Sequence, residues 1–154
     1  MPYDWFIQLQ NFISFMGDTE VLPIVTFFLY IFSRRKVTVV VFLIYLIINI
    51  YINNILKVLF MDPRPYMYSM RVQQLQWKCP AEYGNPSGHS WLVFQFYGCL
   101  IFDLISRIRK TPWLMILPIV MAGLIPQSRM YLGAHSTNQV VMGLLLGLSI
   151  QVIY

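Results

Sequence analysis

Charge is what this sequence has least of. Asp, Glu, Lys and Arg make up 11% of its 154 residues, whereas a soluble globular domain carries roughly 25%. With 58% hydrophobic and 16% aromatic residues and a mean hydropathy of +0.61, the chain reads as an integral membrane protein. A separate soluble catalytic domain is excluded. Acidic residues are scarcest, six against eleven Lys and Arg, for a net charge of +5. That excess does not point to nucleic acid, because the basic residues sit in gaps between apolar runs, where they orient helices in a bilayer. The two cysteines are Cys79, in a polar stretch, and Cys99, inside an apolar run, which excludes a disulfide framework and a four-cysteine zinc site. No Cys or carboxylate cluster suits a divalent metal, so neither metal nor cofactor is expected. Internal repeats and low-complexity tracts are absent, and so is any early Lys or Arg of the kind that opens a signal peptide.

What the chain does have is a series of apolar runs. Near the N-terminus Trp5, Phe6, Leu9, Phe12, Ile13 and Met16 recur at helical spacing, with Gln8, Gln10, Asn11 and Ser14 opposite, which predicts an interfacial helix. A first span covers residues 19–33, short at ~22 Å for a hydrocarbon core of about 30 Å. After Arg34, Arg35 and Lys36 comes the clearest span, residues 37–61, ~37 Å long and stopped by Pro63 and Pro65. A polar loop over 62–87 follows, then a span over 90–105, a basic turn with Arg107, Arg109 and Lys110, a span over 112–125, a loop over 127–137 and a last run over 138–154. The expected fold is all-α, a polytopic transmembrane helical bundle of about five membrane segments plus the interfacial helix, forming one domain over residues 1–154. Counting crossings puts the two longer loops and the N-terminus on one face. The basic turns, holding six of the eleven Lys and Arg, lie on the other and read as cytoplasmic.

Both histidines, His89 and His135, fall on the non-cytoplasmic face beside small or basic residues. Lys57 lies inside the second span, where an ammonium is costly unless it snorkels or faces a polar cavity. Arg64 follows seven residues later, near two helical turns, so both cations can share a side. Pro86-Ser87-Gly88-His89 precedes an apolar helix whose first turn offers unpaired N–H groups and a positive dipole end. Ser128, Arg129 and His135 precede the last run, with Gln139 one turn beyond. Singly, each has an ordinary explanation as an anchor or a turn. Together they suit metal-independent phosphoryl transfer, which needs positioning and charge stabilisation, with one imidazole attacking phosphorus and the other protonating the leaving oxygen.

These three motifs, in this order over residues 57–139, resemble the signature of the type 2 phosphatidic acid phosphatase superfamily, most closely its glucose-6-phosphatase branch through Arg64-Pro65-Tyr66, the approach from Cys79 to His89 with Gly84, and residues 128–141. The resemblance implies that His135 is the nucleophile and His89 the general acid, later the base for water. It further implies that Lys57, Arg64, Ser87, Gly88 and Arg129 bind the phosphoryl oxygens. Most members carry Asp four residues after the nucleophile to hold its imidazole; here Gln139 stands there, as in the glucose-6-phosphatase branch. Its carbonyl would have to face His135 Nδ1, and an aspartate would be expected to serve as well. Family cores usually have six spanning helices, so this chain reads as lacking the last one, either a minimal enzyme completed by other membrane subunits or a remnant embedded in a larger complex. The expected function is a membrane-embedded phosphomonoesterase acting on a sugar phosphate or lipid phosphate at the lumenal face of an endomembrane such as the endoplasmic reticulum. The alternative is a catalytically silent scaffold subunit of a larger membrane complex. Expected partners are the phosphorylated substrate and membrane lipids, with no nucleic acid.

Overall fold

Helices make up most of the chain. The computed structural model describes residues 4–33, 35–78, 80–107 and 116–153, with the backbone alone for 99–107, 117, 118, 152 and 153. Its helices are α1 (Asp4–Phe15), α2 (Val21–Phe32), α3 (Lys36–Phe60), the single turn α4 (Pro65–Tyr68), α5 (Gly88–Arg107), α6 (Ile116–Tyr131) and α7 (Thr137–Ile153), and no strand occurs among the described residues. Arg34, Cys79, Arg109, Lys110 and the start of the 112–125 span lie outside the described residues, as does the side chain of Cys99.

α5 is the centre of the bundle, packed against α7, α6 and α3, while α1 lies on α6 and α2 on α3. The apolar core joins three of these helices through Leu22, Phe42, Leu46, Trp91, Leu92 and Phe96. On α3 the buried positions Phe42, Leu46, Asn49, Asn53 and Lys57 form one stripe that turns from apolar to polar to charged along the helix. Asn49 is the hinge of that stripe, accepting from Trp91 Nε1 at 3.2 Å and Gln95 Nε2 at 2.6 Å and donating to Tyr45 O at 2.8 Å. The opposite faces of α2 and α3 expose large apolar side chains, among them Phe28, Phe32, Ile44 and Ile48, a distribution suited to lipid and unsuited to water. Among the described residues α3 is the helix long and apolar enough to cross a membrane.

Two boundaries and one loop differ from the sequence expectation. α2 starts at Val21, not residue 19, because Asp18 holds a turn ahead of it: its carboxylate accepts from Glu20 N and its carbonyl from Val21 N and Leu22 N. At twelve residues, about 18 Å, α2 is too short to cross alone. α6 runs through Pro126 to Tyr131 instead of stopping before it. Ser128 Oγ donates to Ile125 O at 2.7 Å and Arg129 is tied to α1, so tertiary contacts outweigh the proline's missing donor. Ser128 and Arg129 therefore sit on the helix, and the loop shrinks to residues 132–136. Within the polar loop, Pro65 opens the short α4, where its fixed φ suits a first helical position.

α5 and α7 meet through glycine. A Cβ on Gly147 would lie 2.6 Å from Trp91 O, and one on Gly143 2.5 Å from Ser87 O, so the two backbones touch directly. Gly147→Ala should therefore destabilise the bundle by about 1–3 kcal/mol through overpacking, whereas Gly123→Ala, which meets nothing within 4 Å, should be neutral or stabilising. Thermal unfolding in detergent reads the difference, and equal midpoints would remove close approach as the constraint.

Candidate active site

α3 delivers Lys57 with its side chain almost fully buried, and then ends sharply. Met61 adopts a left-handed φ of 46° while its N–H donates to Lys57 O at 3.0 Å. Asp62-Pro63-Arg64-Pro65 turns the chain back across the helix end. Arg64, 1% exposed, donates from Nε to Glu82 O at 3.0 Å, from Nη2 to Glu82 Oε1 at 2.8 Å and from Nη1 to Ala134 O at 3.2 Å. Lys57 Nζ reaches the same Glu82 Oε1 at 2.6 Å. Arg129, from α6, donates from Nη1 to Ser14 Oγ of α1 at 2.8 Å. Lys57, Arg64, Gly88, His89, Arg129 and His135 all line one cavity of about 240 Å³.

The imidazole of His135 is held from both sides. Arg64 Nη1 lies 3.2 Å from Nε2, and Gln139 Oε1 lies 3.3 Å from Nδ1. A guanidinium only donates, so Nε2 is the acceptor and the proton sits on Nδ1, where Gln139 accepts it. The amide of Gln139 is fixed in turn, because its Nε2 donates to Asp62 Oδ2 at 3.0 Å and Pro63 O at 2.8 Å. Room for it comes from Gly84, where a Cβ would lie 2.5 Å from Oε1. Burial, followed by the charges of Arg129, Arg64 and Lys57, drives the His135 pKa well below 6.5. The result is a neutral imidazole with its lone pair at Nε2, the form that attacks an electrophile. His89 Nε2, buried at the first turn of α5, has no partner among the described residues.

Ser87 stands apart from the other expected ligands. It is fully buried, with its N–H donating to Gln139 O at 3.1 Å and its Oγ 3.0 Å from Ser90 Oγ, and it does not line the cavity.

Three side chains that converge from α3, α5 and the α6–α7 turn onto one anion-sized space are what the motif spacing leads to. A family model described as the PAP2 superfamily matches residues 38–154. The chain belongs to the PAP2 superfamily. It is 32% identical to an undecaprenyl-diphosphatase of Sulfolobus acidocaldarius, an alignment covering 90% of this chain and 64% of the relative. It is 26% identical to human glucose-6-phosphatase 3, over 93% of this chain and 46% of the relative. The chain thus spans about two thirds or less of the curated relatives it matches. Its fold is that of a transmembrane PAP2 type phosphatidylglycerolphosphate phosphatase from Bacillus subtilis, with a TM-score of 0.76 at 21% identity, covering 97% of this chain and 75% of that one.

For this PAP2 chain, sequence reasoning missed Glu82, Asp62, Asn53, Gln76 and Ser14. Asp62 and Glu82 are the only carboxylates between residues 62 and 87, and Asn53 is one helical turn before Lys57, so signals for those three existed. Nothing in the sequence ties Ser14 to Arg129, 115 positions away.

Gln139→Leu should slow reaction at His135 at least roughly tenfold, about 1.4 kcal/mol of barrier, by releasing the imidazole. The geometry reverses the expectation for aspartate: a carboxylate at 139 would face Asp62. Gln139→Asp should therefore be impaired, and the pair Gln139→Asp with Asp62→Asn should recover. Rates of His135 phosphorylation measure this, and an unimpaired Gln139→Asp would remove Asp62 as the orienting group.

Proposed function

We propose that the protein is a metal-independent phosphomonoesterase working through a phosphohistidine. The observation that carries this reading is His135, with Nε2 deprotonated by its hydrogen-bond partners and facing a cavity shared with His89 and three cations. Lys57, Arg64, Lys78 and Arg129 against the carboxylates of Asp18, Glu20 and Glu82 leave the cavity lining with a surplus of one positive charge, and with Lys78 paired to Glu20 the cations at its buried end are Lys57, Arg64 and Arg129, complementary to a phosphate group. On binding, a phosphoryl oxygen takes over the Arg64 donor that now rests on Nε2, which frees the lone pair. Nε2 forms a bond to phosphorus as the bond to the leaving oxygen breaks, and His89, entering as the imidazolium with the proton of a phosphate monoanion, gives that oxygen its proton and becomes neutral. Water then attacks phosphorus, losing a proton to His89, and the P–N bond breaks to release inorganic phosphate. The substrate is a sugar phosphate or lipid phosphate.

One observation favours the second reading, a silent scaffold: Glu82 bonds both Lys57 and Arg64, so part of the ion network is closed without a ligand. A phosphate-release assay decides. Wild type should release phosphate in a vanadate-sensitive manner and carry acid-labile label, and His135→Ala should do neither. Arg64→Lys should lose at least roughly tenfold in rate, because a point charge cannot reproduce the bidentate fork. Label on His135→Ala, or an absence of release across sugar and lipid phosphates, would sink the enzymatic reading.

We further propose that the site faces the lumen of an endomembrane, on the charge of the turns at 34–36 and 107–110. In sealed vesicles Met70→Cys should label from the lumenal side and Arg109→Cys from the cytoplasmic side. The opposite pattern would invert the topology.

A further inference from the structure

Asn49 and Asn53 occupy successive turns of the same buried stripe on α3, yet they differ in one respect. Asn49 is hydrogen-bonded through both its amide nitrogen and its oxygen, whereas Asn53 Nδ2, on a side chain only 3% exposed, has no partner among the described residues. Gln76 Nε2, from the loop across the cavity, is likewise buried and unpartnered. Both residues line the cavity that holds Lys57, Arg64, His89 and His135. Leaving a buried amide unsatisfied costs about 1–3 kcal/mol, so two of them lining one cavity call for a ligand that supplies their partners. Gly88 keeps the space open on the α5 side: a Cβ there would sit 3.1 Å from Asn53 Oδ1 and 4.0 Å from Lys57 Nζ.

The chemistry of that ligand follows from the amide group. A carboxamide presents donor and acceptor side by side, and a hydroxyl, which also donates and accepts, complements it. A hydrocarbon chain would leave both amides unpaired, and a site built to hydrogen-bond a hydroxyl rejects an analogue that lacks it. We propose that Asn53 and Gln76 form a leaving-group subsite for a small hydroxylated alcohol, so that the ligands are polyol phosphates and not phosphates of hydrocarbon alcohols. This deepens the reading of the cavity as a phosphomonoesterase site and rests on it for the placement of the phosphoryl group.

Two phosphonates that resist hydrolysis isolate the effect of the hydroxyls: dihydroxybutylphosphonate and butylphosphonate, titrated calorimetrically into the full chain in detergent. Wild type should bind the dihydroxy compound at least roughly tenfold more tightly, a difference of about 1.4 kcal/mol. Asn53→Leu should bring the two affinities together, chiefly by weakening the dihydroxy compound. Gln76→Leu, on a loop and not in the helical stripe, should narrow the ratio independently if Asn53→Leu fails to fold. Equal affinities in wild type, no binding of either phosphonate, or an unchanged ratio in the variants that fold would overturn the subsite. Phosphate release from glycerol phosphate separates the two claims. Selective binding without release leaves the subsite standing and removes catalysis, and release with equal phosphonate affinities does the reverse.

Discussion

Three cations buried around one small cavity repel one another, and much of the surrounding structure serves to keep them there. Lys57, Arg64 and Arg129 come from α3, the chain just beyond it, and α6. Glu82 draws the first two together through one carboxylate oxygen and adds its backbone carbonyl for Arg64. Arg129 is held instead by a neutral hydroxyl, Ser14. Paired buried cations are costly to desolvate and lose much more when a partner is removed. A cavity with more positive than negative charge is therefore poised for an anion, and the family to which the chain belongs is consistent with that anion being a phosphoryl group.

The N-terminal helix shows how the membrane and the cavity share one element. Two polar side chains of α1 face inward, Asn11 bridging Leu75 O and Trp77 N while Ser14 meets Arg129, whereas Asp4 and Gln8 are exposed. Its apolar side chains, Trp5, Leu9 and Phe12, face outward. This is the reverse of a helix on a soluble protein, and it follows from solvent: where the outside is lipid or the bilayer interface, apolar groups are stable there and polar groups seek partners inside. The same inversion governs α3, whose buried stripe is the polar one near the site.

Much of this was legible because helical periodicity and motif spacing are local. The run from Lys36 to Phe60, the stop before Pro63 and the start of α5 at the Pro-Ser-Gly-His segment follow from apolar period, proline chemistry and helix-start preferences. Pro126 misled, because a proline inside a helix is judged by its lost hydrogen bond while the contacts of Ser128 and Arg129 that offset it are nonlocal. Ser87 reads as a phosphate ligand from its place in the motif; in the folded chain its N–H donates to Gln139 O and its side chain is buried outside the cavity lining, an arrangement set by the nonlocal approach of α7.

By itself the sequence determined a helical membrane protein with two histidines and three cations spaced for one face, since composition and period depend only on neighbouring residues. Tertiary structure decided which groups act on which. The tautomer of His135 depends on Arg64 and Gln139, and the orientation of Gln139 depends on Asp62, 77 positions earlier. Whether an amide finds partners, as Asn49 does and as Asn53 Nδ2 does not among the described residues, depends on what α5 places opposite it. Hydrogen bonds and desolvation act across the gap between packed helices, and those distances exist only once the chain has folded.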